Sequence, residues 1–137
     1  MRPGLNTGEH KAFDRRSRTI LIVEDDPVLA LDLMSLLESH GYAVAGVAES
    51  GEDALVQIHV HPVDVVLMDV NLSGGGGKLD GVETAAMIPP GCSATVIFVT
   101  GEQPAEVARR SGAIPGSTVI AKPYNDDVIL QAVRRAA

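Results

Sequence analysis

The chain has 137 residues, 45% of them apolar but only 3% aromatic, which fits one domain whose core is filled by Val, Ile, Leu and Ala. Its net charge of −7 is uneven: residues 1–18 hold Arg2, Lys11, Arg15, Arg16 and Arg18 against Glu9 and Asp14, while positions 19 to 77 hold ten acids and no Lys or Arg. Such a body repels nucleic acid and attracts cations, the lone Cys92 excludes an internal disulfide, and the longest apolar run near the N-terminus, Ile20 to Val23, is too short for a signal or membrane segment, so a cytoplasmic protein is expected.

Residues 1–18 mix Pro3, Gly4, Gly8 and charges without apolar periodicity and read as a flexible leader to a domain over 19–137. The run Thr19-Ile20-Leu21-Ile22-Val23 predicts a strand that ends in Glu24-Asp25-Asp26. Asp26 suits the cap of the next helix and Pro27 its first position. Leu29, Leu33, Leu36 and Leu37 recur at helical spacing until Gly41 stops them. A second strand over 42–48 precedes a helix capped by Ser50. A third strand over 63–69 again finishes on an acid, Asp69. A glycine-rich loop over 73–78 leads to Asp80-Gly81 and a helix over 82–88. Then come a strand over 95–99 meeting Thr100-Gly101, a short helix over 105–110, and a strand over 118–121 meeting Lys122-Pro123. Asn125 caps a last helix bearing Ile129, Ala132 and Val133 on one face.

Five short apolar strands alternating with five helices imply an α/β fold, a five-stranded parallel sheet with helices on both faces. Right-handed crossovers restrict the topology, and a doubly wound, flavodoxin-like order 2-1-3-4-5 is expected. Ligands in such sheets sit at the carboxyl ends of the strands. Glu24, Asp25, Asp26, Asp69, Thr100 and Lys122 all fall at those ends. Carboxylates brought together repel and raise one another's pKa values unless they share a cation, and oxygen-only ligands select a hard one, best Mg²⁺. Lys122 and Thr100 then suit an anion: a phosphoryl group on Asp69 would need its charge neutralised at several oxygens at once.

These residues resemble the receiver domains of response regulators. Ile20-Leu21-Ile22-Val23-Glu24-Asp25-Asp26 looks like their first strand and acidic pair, and Val66-Leu67-Met68-Asp69-Val70-Asn71 like their phosphorylation strand. Phe98-Val99-Thr100-Gly101 and Ala121-Lys122-Pro123-Tyr124 match the switch threonine and the lysine-proline motif. The resemblance covers residues 19–135 and implies Mg²⁺ held by Glu24, Asp25, Asp69 and the backbone carbonyl of Asn71. It also implies phosphorylation of Asp69 by a sensor histidine kinase, a phosphotransfer protein or a small donor such as acetyl phosphate. The output would be a protein-binding face around the fourth helix, fifth strand and fifth helix, read by a downstream protein, with homodimerisation also open. Direct contact with nucleic acid or membrane, or catalysis beyond the domain's own phosphorylation and dephosphorylation, is not expected. The Phe-Val-Thr-Gly run is also similar to single-domain receivers paired with atypical sensor kinases.

Two departures stand out. The loop before Asp80-Gly81 is a few residues longer than usual, and Gly74, Gly75, Gly76 and Gly77 predict unusual freedom there. Val119 stands where the family commonly has an aromatic residue. The same glycines do not form a phosphate-binding P-loop, because Leu72 and Leu79 occupy positions that need Gly and Ser or Thr. His59 and His61 lack a third ligand and read as surface residues, and Arg134-Arg135 complements a helix dipole. Two alternatives remain. A haloacid-dehalogenase-like phosphohydrolase also uses a strand-end aspartate, but Asn71 replaces its second acid and no cap domain fits. A receiver fragment of a larger regulator would carry its output domain elsewhere.

Overall fold

Each apolar run forms a strand, and the helix after it returns the chain so that the next strand points the same way. The computed structural model describes residues 18–101 and 103–136, so the predicted leader, Arg18 apart, lies outside the described residues. The strands are β1 (Thr19–Val23), β2 (Ala43–Ala48), β3 (Val65–Asp69), β4 (Thr95–Thr100) and β5 (Thr118–Ala121). The helices are α1 (Pro27–Ser39), α2 (Gly51–Val60), α3 (Gly81–Ala86), α4 (Pro104–Arg110) and α5 (Asp126–Ala136). All strand pairs are parallel, in the expected order β2-β1-β3-β4-β5.

That order decides which face each helix covers. The chain steps from β1 to β2 in one direction, then crosses back over β1 to reach β3 and continues to β5. With every crossover right-handed, the helix of the first step must lie on the opposite face from the next three. The side chains agree. Ile20, Ile22, Val65, Leu67, Ile97 and Val99 pack with Leu33 and Leu37 of α1 and with Ile129 and Val133 of α5. The alternate residues Leu21, Val23, Val66, Met68 and Phe98 pack with Ala54 and Ile58 of α2, Val82 and Ala85 of α3, and Val107 of α4. A strand covered on both faces has no polar side to offer, which is why β1 and β3 are continuously apolar until their ends.

The predicted caps are formed. The Asp26 carboxylate accepts the N–H groups of Val28 at 2.9 Å and Leu29 at 3.4 Å, with Pro27 opening α1. Ser50 accepts the Asp53 N–H at 3.1 Å and Asn125 the Val128 N–H at 3.0 Å. Gly41, at φ 89°, takes the left-handed turn that ends α1. Most boundaries fall within one residue of expectation, and two differ by two. β3 starts two residues late, because Asp64 turns its carboxylate to accept the Thr19 N–H at 2.9 Å. α3 stops at Ala86 rather than 88, since Pro89 disfavours helical backbone in Ile88 before it. No helix among the described residues is long and apolar enough to cross a membrane.

Phe98 is fully buried between the sheet and the α2–α4 layer. Phe98→Ala is expected to cost about 3–5 kcal/mol in urea denaturation. Asp26→Ala, which removes only the cap, should cost about 1 kcal/mol.

Candidate functional site

Strand register brings the scattered polar residues together. Val23 pairs with Met68, so the next residues, Glu24 and Asp69, leave the sheet side by side. Thr100 pairs with Ala121, and the Lys122 N–H donates to the Thr100 carbonyl at 2.7 Å, which carries Lys122 to the same edge. There its Nζ lies 3.5 Å from Asp69 Oδ1. Carboxylate oxygens of Glu24, Asp25 and Asp69 lie within 4.8 Å of one another. Glu24 and Asp69 are only 4% and 6% exposed, and Thr100 is buried as well.

Burial dominates the electrostatics. Glu24 is pushed up to about 8, first because its carboxylate is cut off from water and next because the Asp69 charge faces it. The Asp26 N–H, donated to Glu24 Oε2 at 3.1 Å, opposes this without cancelling it. Asp69 is also raised by burial, against the pull of Lys122 and of the Asn71 N–H that donates to Asp69 Oδ1 at 3.3 Å. Half-buried Tyr124, two residues beyond Lys122, has its phenol raised by burial and then by the Glu24 and Asp69 charges.

Beside Asp69 opens a cavity of about 410 Å³ lined by Asn71, Asp80, Thr100, Gln103, Arg110 and Lys122 among others. Gly81 lies against the end of β3: a Cβ there would lie 2.4 Å from the Asp69 carbonyl oxygen, so only glycine lets α3 start this close. Asp80 caps α3 in a reciprocal pair with Glu83, and its second oxygen accepts from Arg110 of α4 at 2.8 Å.

Of the predicted residues, Glu24, Asp25, Asp69, Asn71, Thr100 and Lys122 all reach this end of the sheet. Asp26 does not join the acid cluster. Its carboxylate is turned away to cap α1, and it serves the site through its N–H alone. The glycine loop, expected to be unusually free, is hydrogen-bonded on both sides. The Gly74 N–H donates to Asp25 Oδ2 at 2.7 Å and the Lys78 N–H to Glu52 Oε2 at 2.8 Å, so the loop is pinned at both ends. Sequence reasoning missed these two contacts and the Arg110–Asp80 bridge, because each joins groups that only the folded chain brings near. Val119 sits beside Phe98 in the sheet and packs against the same core. His59 and His61 are exposed.

The sequence matches the response regulator receiver domain over residues 20–134, and the chain belongs to that family. One relative is the transcriptional regulatory protein PdtaR of Mycobacterium tuberculosis, 26% identical over 119 residues, covering 87% of this chain and 56% of that protein. The chain thus spans about half the length of such curated relatives. Among solved structures, the signal receiver domain of a modulated diguanylate cyclase from Desulfovibrio desulfuricans is 37% identical, with a TM-score of 0.77 over 88% of this chain and 93% of that one. A response regulator receiver protein from Sinorhizobium medicae is 26% identical, with a TM-score of 0.75 over 88% and 94%.

The buried acids set a pH dependence. A carboxyl whose folded pKa exceeds its unfolded value stabilises the fold fully below the unfolded value and loses that contribution as pH rises through the folded one. For Glu24 the window runs from 4.5 to about 8. Thermal melts in EDTA should therefore show the midpoint falling between pH 5 and pH 8, and Glu24→Gln should flatten that slope. An equal slope in the variant would disprove the assignment.

Proposed function

We propose that Asp69 is the phosphoryl acceptor of this receiver domain and that Glu24, Asp25, Asp69 and the Asn71 carbonyl hold Mg²⁺. The observation that carries the reading is the pairing of buried Asp69 with the Lys122 ammonium at 3.5 Å beside two further acids. The donor set fits the ion: it offers only oxygens, and burial, with the Asp69 charge beside it, raises the proton affinity of Glu24 where a cation would favour the carboxylate. When bound, Mg²⁺ supplies positive charge to the transferring phosphoryl oxygens.

The residues then divide the work. An Asp69 carboxylate oxygen forms a bond to phosphorus as the bond to the donor breaks, and the leaving group departs with that electron pair. Once esterified, Asp69 no longer carries its own charge, and Lys122 exchanges its carboxylate partner for a phosphoryl oxygen. The Thr100 hydroxyl, buried at the end of β4, takes another. The face formed by α4, β5 and α5 reports the change to a downstream protein. With Val119 in place of an aromatic, repacking beside Phe98 involves a small side chain, so the usual coupling of threonine to a swinging ring is replaced by other movements. A sensor histidine kinase or phosphotransfer protein is the donor, the setting is cytoplasmic, and self-association is one further partner interaction. The phosphohydrolase alternative draws no support from a family match to receiver domains, or from Asn71 where that chemistry needs an acid.

Acetyl phosphate with Mg²⁺ should add one phosphoryl group by intact mass to the wild type and none to Asp69→Asn. No adduct with any phosphodonor or kinase would refute the reading. Lys122→Ala should keep its Mg²⁺ affinity and still lose the partner response; normal signalling by that variant would remove Lys122 from the switch.

A further inference from the structure

We propose that Gly74 is a positioning residue, whose backbone N–H holds the Asp25 carboxylate in the orientation that receives the cation. The inference rests on the Mg²⁺-dependent acceptor reading above. Asp25 is the most exposed of the three clustered acids and, unlike Glu24 and Asp69, is not fixed by burial. Beside its side-chain contact with Glu24, Asp25 has a second restraint from the glycine loop. The Gly74 N–H donates to Asp25 Oδ2 at 2.7 Å in a charge-assisted hydrogen bond.

The donor is itself held in place. On the upstream side, the Asn71 N–H donates to Asp69 Oδ1 at 3.3 Å, and the Asn71 side-chain oxygen accepts from the Ser73 N–H at 3.2 Å and the Ser73 hydroxyl at 2.9 Å. A run of hydrogen bonds therefore leads from Asp69 to Asp25 through the loop. Downstream, Lys78 is pinned to Glu52 at the start of α2. The glycines are what permits this approach. A Cβ on Gly74 would lie 2.6 Å from Asp25 Oδ2, and one on Gly75 would lie 1.7 Å from the Glu49 carbonyl oxygen. One on Gly77 would lie 2.1 Å from Glu52 Oε1, and Gly76 turns the chain at φ 84°. Each glycine thus has its own steric or conformational reason, and together they lay the backbone against Asp25 and α2. A carboxylate already ordered loses less rotamer freedom when it takes a cation, and outer partners of this kind govern metal affinity.

The test is Mg²⁺ titration by calorimetry on the wild type, Gly74→Pro, Gly75→Ala and the control Gly112→Ala, whose Cβ would meet open space. Gly74→Pro removes the donor whatever the loop does, and Gly75→Ala pushes the loop off Glu49. Both loop variants should bind Mg²⁺ roughly tenfold more weakly, with the control unchanged. Both should still melt cooperatively in EDTA, Gly75→Ala at a lower midpoint because its Cβ meets the Glu49 backbone, and their phosphorylation by acetyl phosphate should recover at saturating Mg²⁺. Wild-type affinity in Gly74→Pro, or a rate that saturating Mg²⁺ does not restore, overturns the role. Absence of Mg²⁺ binding in the wild type would instead refute the acceptor reading beneath it.

Discussion

Two carboxylates almost sealed from water share one end of the sheet with a single ammonium, and much of the structure exists to hold them there. Burying an unpaired charge is costly, so Glu24 and Asp69 persist only because neighbours are fixed at the right places. Lys122 and the Asn71 N–H both favour the Asp69 charge, while the Asp26 N–H donates to Glu24. What remains uncompensated appears as raised proton affinity, most clearly at Glu24. A site tuned in this way is short of positive charge, and that shortage is what makes it receptive to a cation.

Topology supplies the precision. β1 and β3 are neighbours although α1, β2 and α2 separate them in the chain, and this reversal puts two acid-tipped strands in adjacent positions. The sheet is rigid because both faces are packed, so its edge is a fixed platform on which small loops can vary. The Arg110–Asp80 bridge ties the start of α3 to α4 across the cavity beside Asp69. That bridge links the segment just after Asp69 and the helix between β4 and β5.

The strands, their order and the polar residues that gather at their carboxyl ends were readable in the sequence because each left a local mark. Apolar runs ended on acids, and Ser50, Asp26 and Asn125 stood where caps belong. Lys122 followed a strand that otherwise gave no reason for a charge. The failures share one physical cause. Asp26 can serve as cap or ligand, and only its geometry decides which. Four glycines signal freedom in an unfolded chain, yet the same absence of Cβ atoms lets the folded loop pack closely, and nothing in the linear order distinguishes the two. The Gly74–Asp25 contact spans 49 residues and depends entirely on the fold that brings its partners together.

Tyr124 gives this arrangement an optical side. The protein has no tryptophan and only two tyrosines, and one of them stands half-buried where the charges of Glu24 and Asp69 bear on its phenol. Its near-ultraviolet absorbance is overlaid by that of Tyr42, with no tryptophan to mask either. Neutralising Asp69 or bringing in a cation would change the field on that ring.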